Sequence, residues 1–163
     1  MIRAATSDDV PMIAELIREL ATYEHLEHEV VLDESELRTH LFGAHPYAEV
    51  LIAEHDGHAV GFALFFHNFS TFLGLPGIYL EDLFVRPDAR GRGLGKALLV
   101  DLGRLARDRG CGRIEWAVLD WNEPSIAFYQ SLGARPKDEW VLYRLSGDAM
   151  HALAHEGAPP DAA

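Results

Sequence analysis

Hydrophobic and polar positions change period several times along the chain, and each change predicts an element. Ile13, Leu16, Ile17 and Leu20 recur at helical spacing. Ser7, Asp8 or Asp9 can cap that helix, and Pro11 fits its first turn. Before it, residues 2–6 read as a short strand. Asp33 or Ser35 opens a second helix through Leu37 and Leu41, ending near Gly43. Residues 47–55 are β-rich, Asp56-Gly57 supplies a hairpin turn, and residues 60–66 return as the next strand. Gly74, Pro76 and Gly77 interrupt the pattern, so residues 68–77 are expected to form a loop. The apolar run Ile78 to Val85 predicts the following strand.

The second half continues in the same manner. Leu94, Leu98, Leu99 and Leu102 predict a helix from Gly93 to about Arg109, closed by Gly110 and Gly112. Residues 113–119 are strand-like. Asn122-Glu-Pro-Ser starts a short helix that Gly133 terminates, residues 140–145 predict a last strand, and Ser146 begins a closing helix. The order βααβββαβαβ implies an α/β (α+β) fold: a mixed, mostly antiparallel twisted sheet flanked by helices. Residues 1–155 are expected to form one domain and residues 156–163 a disordered tail.

Composition narrows the picture. The chain has 163 residues, 48% of them hydrophobic, as in an ordinary globular protein. Its formal net charge of −12 argues against nucleic acid as a partner and is compatible with a cationic small substrate. No apolar run reaches membrane-spanning length and the first residues do not form a signal peptide, so a cytoplasmic location without membrane association is expected. The single cysteine, Cys111, excludes an internal disulfide framework and reads as a small buried apolar residue. His25 and His28 stand three apart near Glu24 and Glu29, but no tighter ligand set accompanies them, and no metal is expected.

Candidate chemistry concentrates between Tyr79 and Lys96. Two adjacent acids, Glu81 and Asp82, lie on the apolar strand, where alternation would send them to opposite faces. A glycine-rich loop and a helix follow, an order that suits a phosphorylated ligand because bare N–H groups and a positive helix end meet the anion. A P-loop would need Ser or Thr after Gly95-Lys96, but Ala97 is there. A dinucleotide loop needs G-x-G-x-x-G, whereas Gly91, Gly93 and Gly95 are spaced by two. The pattern that fits is [Gln/Arg]-x-x-Gly-x-[Gly/Ala], written here Arg90-Gly-Arg-Gly93-Leu-Gly95. Arg86, Arg90 and Arg92 flank the loop, and at least one is expected on the anion.

This loop resembles the coenzyme A pyrophosphate loop of the GNAT superfamily of N-acetyltransferases. The segment Asn122-x-x-Ser125-x-x-Phe128-Tyr129-x-x-x-Gly133 is similar to that superfamily's C-terminal motif. Within it, the chain resembles the diamine (spermidine/spermine) and thialysine N-acetyltransferase group. The matching segments include Leu20-Ala-x-Tyr23-Glu24, Phe42-Gly-x-His45-Pro46, Val60-Gly-Phe-Ala63, Tyr79-Leu-Glu-Asp82 and Trp121-Asn-Glu-Pro-Ser125, with Trp140 near the end.

The resemblance implies a GNAT fold with a cofactor cleft between the two central strands. It implies acetyl-CoA as co-substrate, held by Leu83, Phe84, Val85, Arg90, Gly91, Arg92, Gly93, Leu94, Gly95, Lys96, Asn122, Ser125 and Phe128. It casts Glu81 as the base that takes the amine's proton, directly or through water, and Tyr129 as the acid that protonates the leaving thiolate. Tyr23, Glu24, Glu81, Asp82, Glu139 and Trp140 fall on the substrate side, and a homodimer is implied. The substrate would be a small cationic amine: a diamine, a polyamine or a thialysine-like compound. One departure bears on chain length. The mammalian members carry an acid in the loop before the acidic strand, and residues 68–77 contain none, which removes a partner for a distal ammonium. Two other readings are an enzyme acetylating an amino acid, antibiotic or protein amine, and an acyl-CoA-binding sensor without turnover.

Overall fold

The computed structural model describes residues 1–155, so the predicted tail at 156–163 lies outside the described residues. These residues divide into a compact unit from Met1 to Ala117 and a second beginning at Val118. The first unit holds strand β1 (Ile2–Ala4), helix α1 (Val10–Glu24), helix α2 (Glu34–Phe42), strands β2 (Glu49–His55), β3 (His58–Ser70) and β4 (Leu75–Val85), helix α3 (Leu94–Asp108) and strand β5 (Ile114–Trp116). The second holds helices α4 (Glu123–Ser131) and α5 (Gly147–His155).

The five strands lie in sequence order, antiparallel except for the parallel pair β4–β5. Alternation along the strands builds a core on each face. Ile13, Leu16 and Leu20 of α1 pack with Val50, Ile52, Phe62 and Phe84 on one face. Leu98, Leu102 and Ala106 of α3 pack with Leu51, Ala53, Ala63, Phe65, Ile78 and Leu80 on the other. The apolar stripes read at helical spacing therefore face the sheet, one helix on each side.

Two predicted elements differ. The loop expected over residues 68–77 shrinks to a tight turn, because β3 and β4 stay paired as far as Ser70 and Leu75. Gly74, at φ 66°, makes the turn. Pro76 lies close to the turn, before the β4–β5 ladder begins at Ile78, and its carbonyl accepts from the Gly112 N–H at 2.8 Å. The strand expected over residues 140–145 does not form. The described residues of its own unit contain no other strand, and an unpaired strand leaves its backbone groups without partners. Its side chains stand in solvent, with Trp140 71%, Leu142 76% and Tyr143 90% exposed.

Candidate functional site

β4 does not keep one alternation. Leu64 of β3 pairs with Asp82, but Phe65 pairs with Leu80, so Glu81 is an extra residue bulged out of the ladder. The bulge reverses the phase of the strand. Ile78 and Leu80 point to the α3 face before it, while Phe84 points to the α1 face after it. Asp82, two residues from Phe84 and opposite Leu64, therefore turns toward α1. Simple alternation predicted Glu81 and Asp82 on opposite faces; with the bulge, both line one pocket.

That pocket, about 480 Å³, lies entirely within the first unit. Its floor is Ile17, Leu20 and Ala21 of α1, and its wall is the segment from Leu26 to Leu32. Glu24, Glu29, Glu81 and Asp82 bring four carboxylates to it, and among the described residues no Lys, Arg or His lines it. The wall exists because α1 ends abruptly. His25 takes the left-handed conformation at φ 61°, and the Leu26 N–H bonds back to the Ala21 carbonyl at 2.9 Å. The chain then returns along the helix until Asp33 caps α2.

The electrostatics of the pocket are unbalanced. Burial, with Glu81 and then Glu24 nearby, pushes the Asp82 carboxyl up to about 7. Desolvation also raises Glu24. Neither Glu81 nor Asp82 has a cationic partner among the described residues. Such a pocket attracts an ammonium group on an apolar stem and retains a carboxylate basic enough to take a proton near neutrality.

The loop after β4 has the other predicted feature. Gly91 and Gly93 lie at φ 75° and 77°, and apart from their chain neighbours no atom of the described residues stands within 4 Å of where a Cβ would sit. Gly93 is the N-cap of α3 and offers no side chain to its first N–H groups, so the backbone of Leu94, Gly95 and Lys96 opens α3 without a side-chain cap. β4 and β5 pair over only three residues, Ile78–Leu80 with Ile114–Trp116. Among the described residues, the β4–β5 ladder does not extend beyond Leu80. A glycine-rich helix start without a side-chain cap fits a ligand ending in a phosphate.

The flanking arginines divide. Arg86 is held internally: Nε and Nη2 donate to Glu19 at 2.7–3.0 Å, Nη2 also donates to Glu15 at 2.8 Å, and Nη1 donates to the Ala59 carbonyl at 3.2 Å. Its counter-charge is part of the protein. Arg90 donates from Nε to the Val85 carbonyl at 2.9 Å and lies 4.6 Å from the Tyr23 ring centroid, which ties the loop to α1 beside Glu24. Arg92 is exposed.

In the second unit, Asn122 is buried and caps α4, its Oδ1 accepting from the Ser125 N–H at 3.4 Å, with Pro124 in the first turn. Phe128 and Tyr129 follow on α4 with ring centroids 5.5 Å apart. Glu139 is ion-paired with Lys137 at 2.5 Å, and Trp140 is exposed. Sequence reasoning missed the Leu26–Leu32 wall and Glu29. Helical periodicity stops at Glu24, and nothing in the sequence marks His25 as a left-handed cap. Among the described residues no group of three His, Cys, Asp or Glu side chains could hold a metal.

The two-faced sheet, the bulged acidic strand and the glycine-rich helix start agree with the acyl-transfer fold that the sequence resemblance implied. The chain belongs to the acetyltransferase (GNAT) family, whose model matches residues 10–134, and it is an N-acetyltransferase of that type. It is 39% identical to the thialysine N-epsilon-acetyltransferase of Bos taurus, over 94% of this chain and 96% of that protein. It is 36% identical to the L-ornithine N5-acetyltransferase of Arabidopsis thaliana, over 93% of this chain and 86% of that one. Among solved structures, an integron cassette protein from the mobile metagenome of V. cholerae superimposes with a TM-score of 0.79 at 26% identity, covering 94% of this chain and 96% of that one.

Proposed function

We propose that this enzyme transfers the acetyl group of acetyl-CoA directly to the primary amine of a small cationic substrate. The observation that carries this reading is the pocket, with four carboxylates on an apolar lining. The open geometry at Gly91 and Gly93, and an α3 start without a side-chain cap, fit a pyrophosphate. When bound, acetyl-CoA supplies an activated acetyl thioester; the chain's own residues do the rest. Arg90, Gly91, Arg92, Gly93, Leu94, Gly95 and Lys96 hold the phosphate end. Leu83, Phe84 and Val85 align the extended part along β4 and offer backbone N–H to the carbonyl oxygen. Asn122, Ser125 and Phe128 complete the cofactor contacts. Tyr129 protonates the leaving thiolate.

On the amine side, Tyr23 and Glu24 at the end of α1 act with the Glu81–Asp82 pair. An alkyl ammonium has a pKa near 10 and must lose a proton before it can attack, a task that falls to a carboxylate of that pair. The relatives named for thialysine and L-ornithine support an amine at the end of a short flexible chain. The exposed apolar side chains at residues 140–145 support a homodimer. No helix among the described residues is long and apolar enough to cross a membrane, which is compatible with a cytoplasmic enzyme.

The test is release of free thiol from acetyl-CoA across a panel of diamines, polyamines, thialysine and ornithine. Amine-dependent thiol release with a matching acetylated product is expected. Tight acetyl-CoA binding without amine-stimulated release would instead identify a sensor.

A further inference from the structure

Residues 68–77 hold no acid for the far end of a long cation, but the fold brings one in from another strand. Before the bulge, Ile78 and Leu80 of β4 and Ile114 and Trp116 of β5 pack toward α3. Tyr79 and Glu115, which stand level in the β4–β5 ladder, therefore face the α1 side. Phe66 of β3 is opposite Tyr79, and their ring centroids lie 5.3 Å apart. Asp82 is on the same side, opposite Leu64. Beyond the pocket, this face thus presents an aromatic pair and then a single acid. Asn68, opposite Gly77, reaches across β4 and donates from Nδ2 to Glu115 Oε2 at 2.8 Å. Gly77 permits the reach, because a Cβ there would stand 2.4 Å from Asn68 Oδ1. That oxygen is buried with no hydrogen bond among the described residues. The reverse amide orientation would set oxygen against the carboxylate, so Asn68 is turned to hold Glu115 at the expense of its own acceptor. Arg113 Nε stands 2.9 Å from the same Oε2. A carboxylate has about four acceptor sites, and these two contacts share one oxygen. The Glu115 side chain remains 40% exposed.

We infer that Glu115 is a specificity-determining residue that takes the second ammonium of an α,ω-diamine while the first is acetylated beside the Glu81–Asp82 pair. This rests on the acetyltransferase reading above and deepens it. From Asp82 to Glu115 is two residues along the strands and one strand across, about 8 Å between Cα atoms, which a short diamine spans. The hydrocarbon between the two ammonium groups lies over the Phe66 and Tyr79 rings, whose faces accept methylenes and a partly desolvated cation alike. The far end meets a carboxylate that Asn68 already holds, so little side-chain freedom is lost on binding. Arg113 shares Oε2 and moderates the attraction. An amine without a second charge gains nothing at Glu115, so this acid discriminates a diamine from a monoamine of the same carbon chain.

The experiment measures kcat and KM by thiol release from saturating acetyl-CoA for the full chain, Glu115→Gln and Asn68→Ala. The amines are cadaverine and pentylamine, which share a carbon chain and differ in the second ammonium. After allowance for its two equivalent ends, cadaverine is expected to be favoured in kcat/KM by about tenfold in the wild type, as one charge-assisted contact on a partly exposed acid supplies. Glu115→Gln keeps the side chain's size and can still accept from Asn68, but carries no charge. It should erase most of that ratio through a raised KM for cadaverine, with kcat little altered. Asn68→Ala should lower the ratio by a smaller factor, because the acid remains but is no longer held. Added salt should narrow the wild-type ratio. Thermal unfolding checks that each variant is folded, and if Glu115→Gln is not, the Asn68→Ala ratio decides. A folded Glu115→Gln that keeps the wild-type ratio overturns the proposal. An equal loss on both amines, which marks a structural role, overturns it too, as does a wild type without preference between them. No thiol release with either amine would instead sink the acetyltransferase reading.

Discussion

Replacing Asp82 with asparagine should make the protein more stable, and more so as pH rises. In the fold the Asp82 carboxyl titrates at about 7, against an ordinary 3.8. Its folded pKa is raised, so between those values the native state holds a proton that the unfolded chain has lost. Stability therefore falls as pH rises from about 4 to about 7. A shift of about three units corresponds to on the order of 4 kcal/mol. That figure is a ceiling, since a partly buried carboxylate retains some contact with water. The asparagine side chain is nearly isosteric with the protonated acid and carries no such penalty. Urea unfolding at pH values from 4 to 8 measures the difference directly. Asp82→Asn should match the wild type near pH 4 and exceed it by about 2–4 kcal/mol at pH 8. A difference independent of pH, or a wild type more stable at pH 8, would refute the claim that burial and like charge burden this site.

Three further outcomes are expected. Arg86→Ala should lower stability by about 2 kcal/mol, less at high salt, because it releases Glu19 and Glu15 from the end of β4. Its acetyl-CoA affinity by calorimetry should stay near wild type, and weakened binding at unchanged stability would make Arg86 a phosphate ligand instead. Gly93→Ala places a Cβ at φ 77° and should cost about 1–2 kcal/mol while weakening acetyl-CoA binding. Unaltered affinity in Gly93→Ala would remove the loop from cofactor recognition. Tyr129→Phe should lower turnover roughly 10²-fold with acetyl-CoA affinity preserved, and an unchanged kcat under conditions where chemistry limits the rate would exclude it as the acid.

Much of this architecture is legible in the sequence because local rules and tertiary packing agree. The stripe Ile13, Leu16, Leu20 faces one core, and Leu98 and Leu102 face the other. Glycine spacing, with Ala97 after Gly95-Lys96, separates the loop from nucleotide-binding loops. The failures occur where a non-local partner decides. Residues 68–70 look like loop until β4 is seen to pair with them. Residues 140–145 look like a strand, but strand pattern without a neighbouring edge does not make a strand. Arg86 stands beside a phosphate loop in the sequence, yet its anions come from α1, nearly seventy residues earlier. The Glu81 bulge has no local signature: both acids suit a surface strand, and only the pairing register reveals that one residue is supernumerary.

That extra residue separates two things usually treated as one, a side chain and a place in the count. Any substitution at 81 changes the chemistry of the pocket rim and leaves the strand's phase untouched. Deleting 81 does the reverse. It imposes a frame error on folded structure, in which one half of β4 must abandon its core. Either Ile78 and Leu80 leave α3, or Phe84 leaves α1 and carries Asp82 out of the pocket with it. Along β4, the two cores are thus kept in step by a single peptide unit.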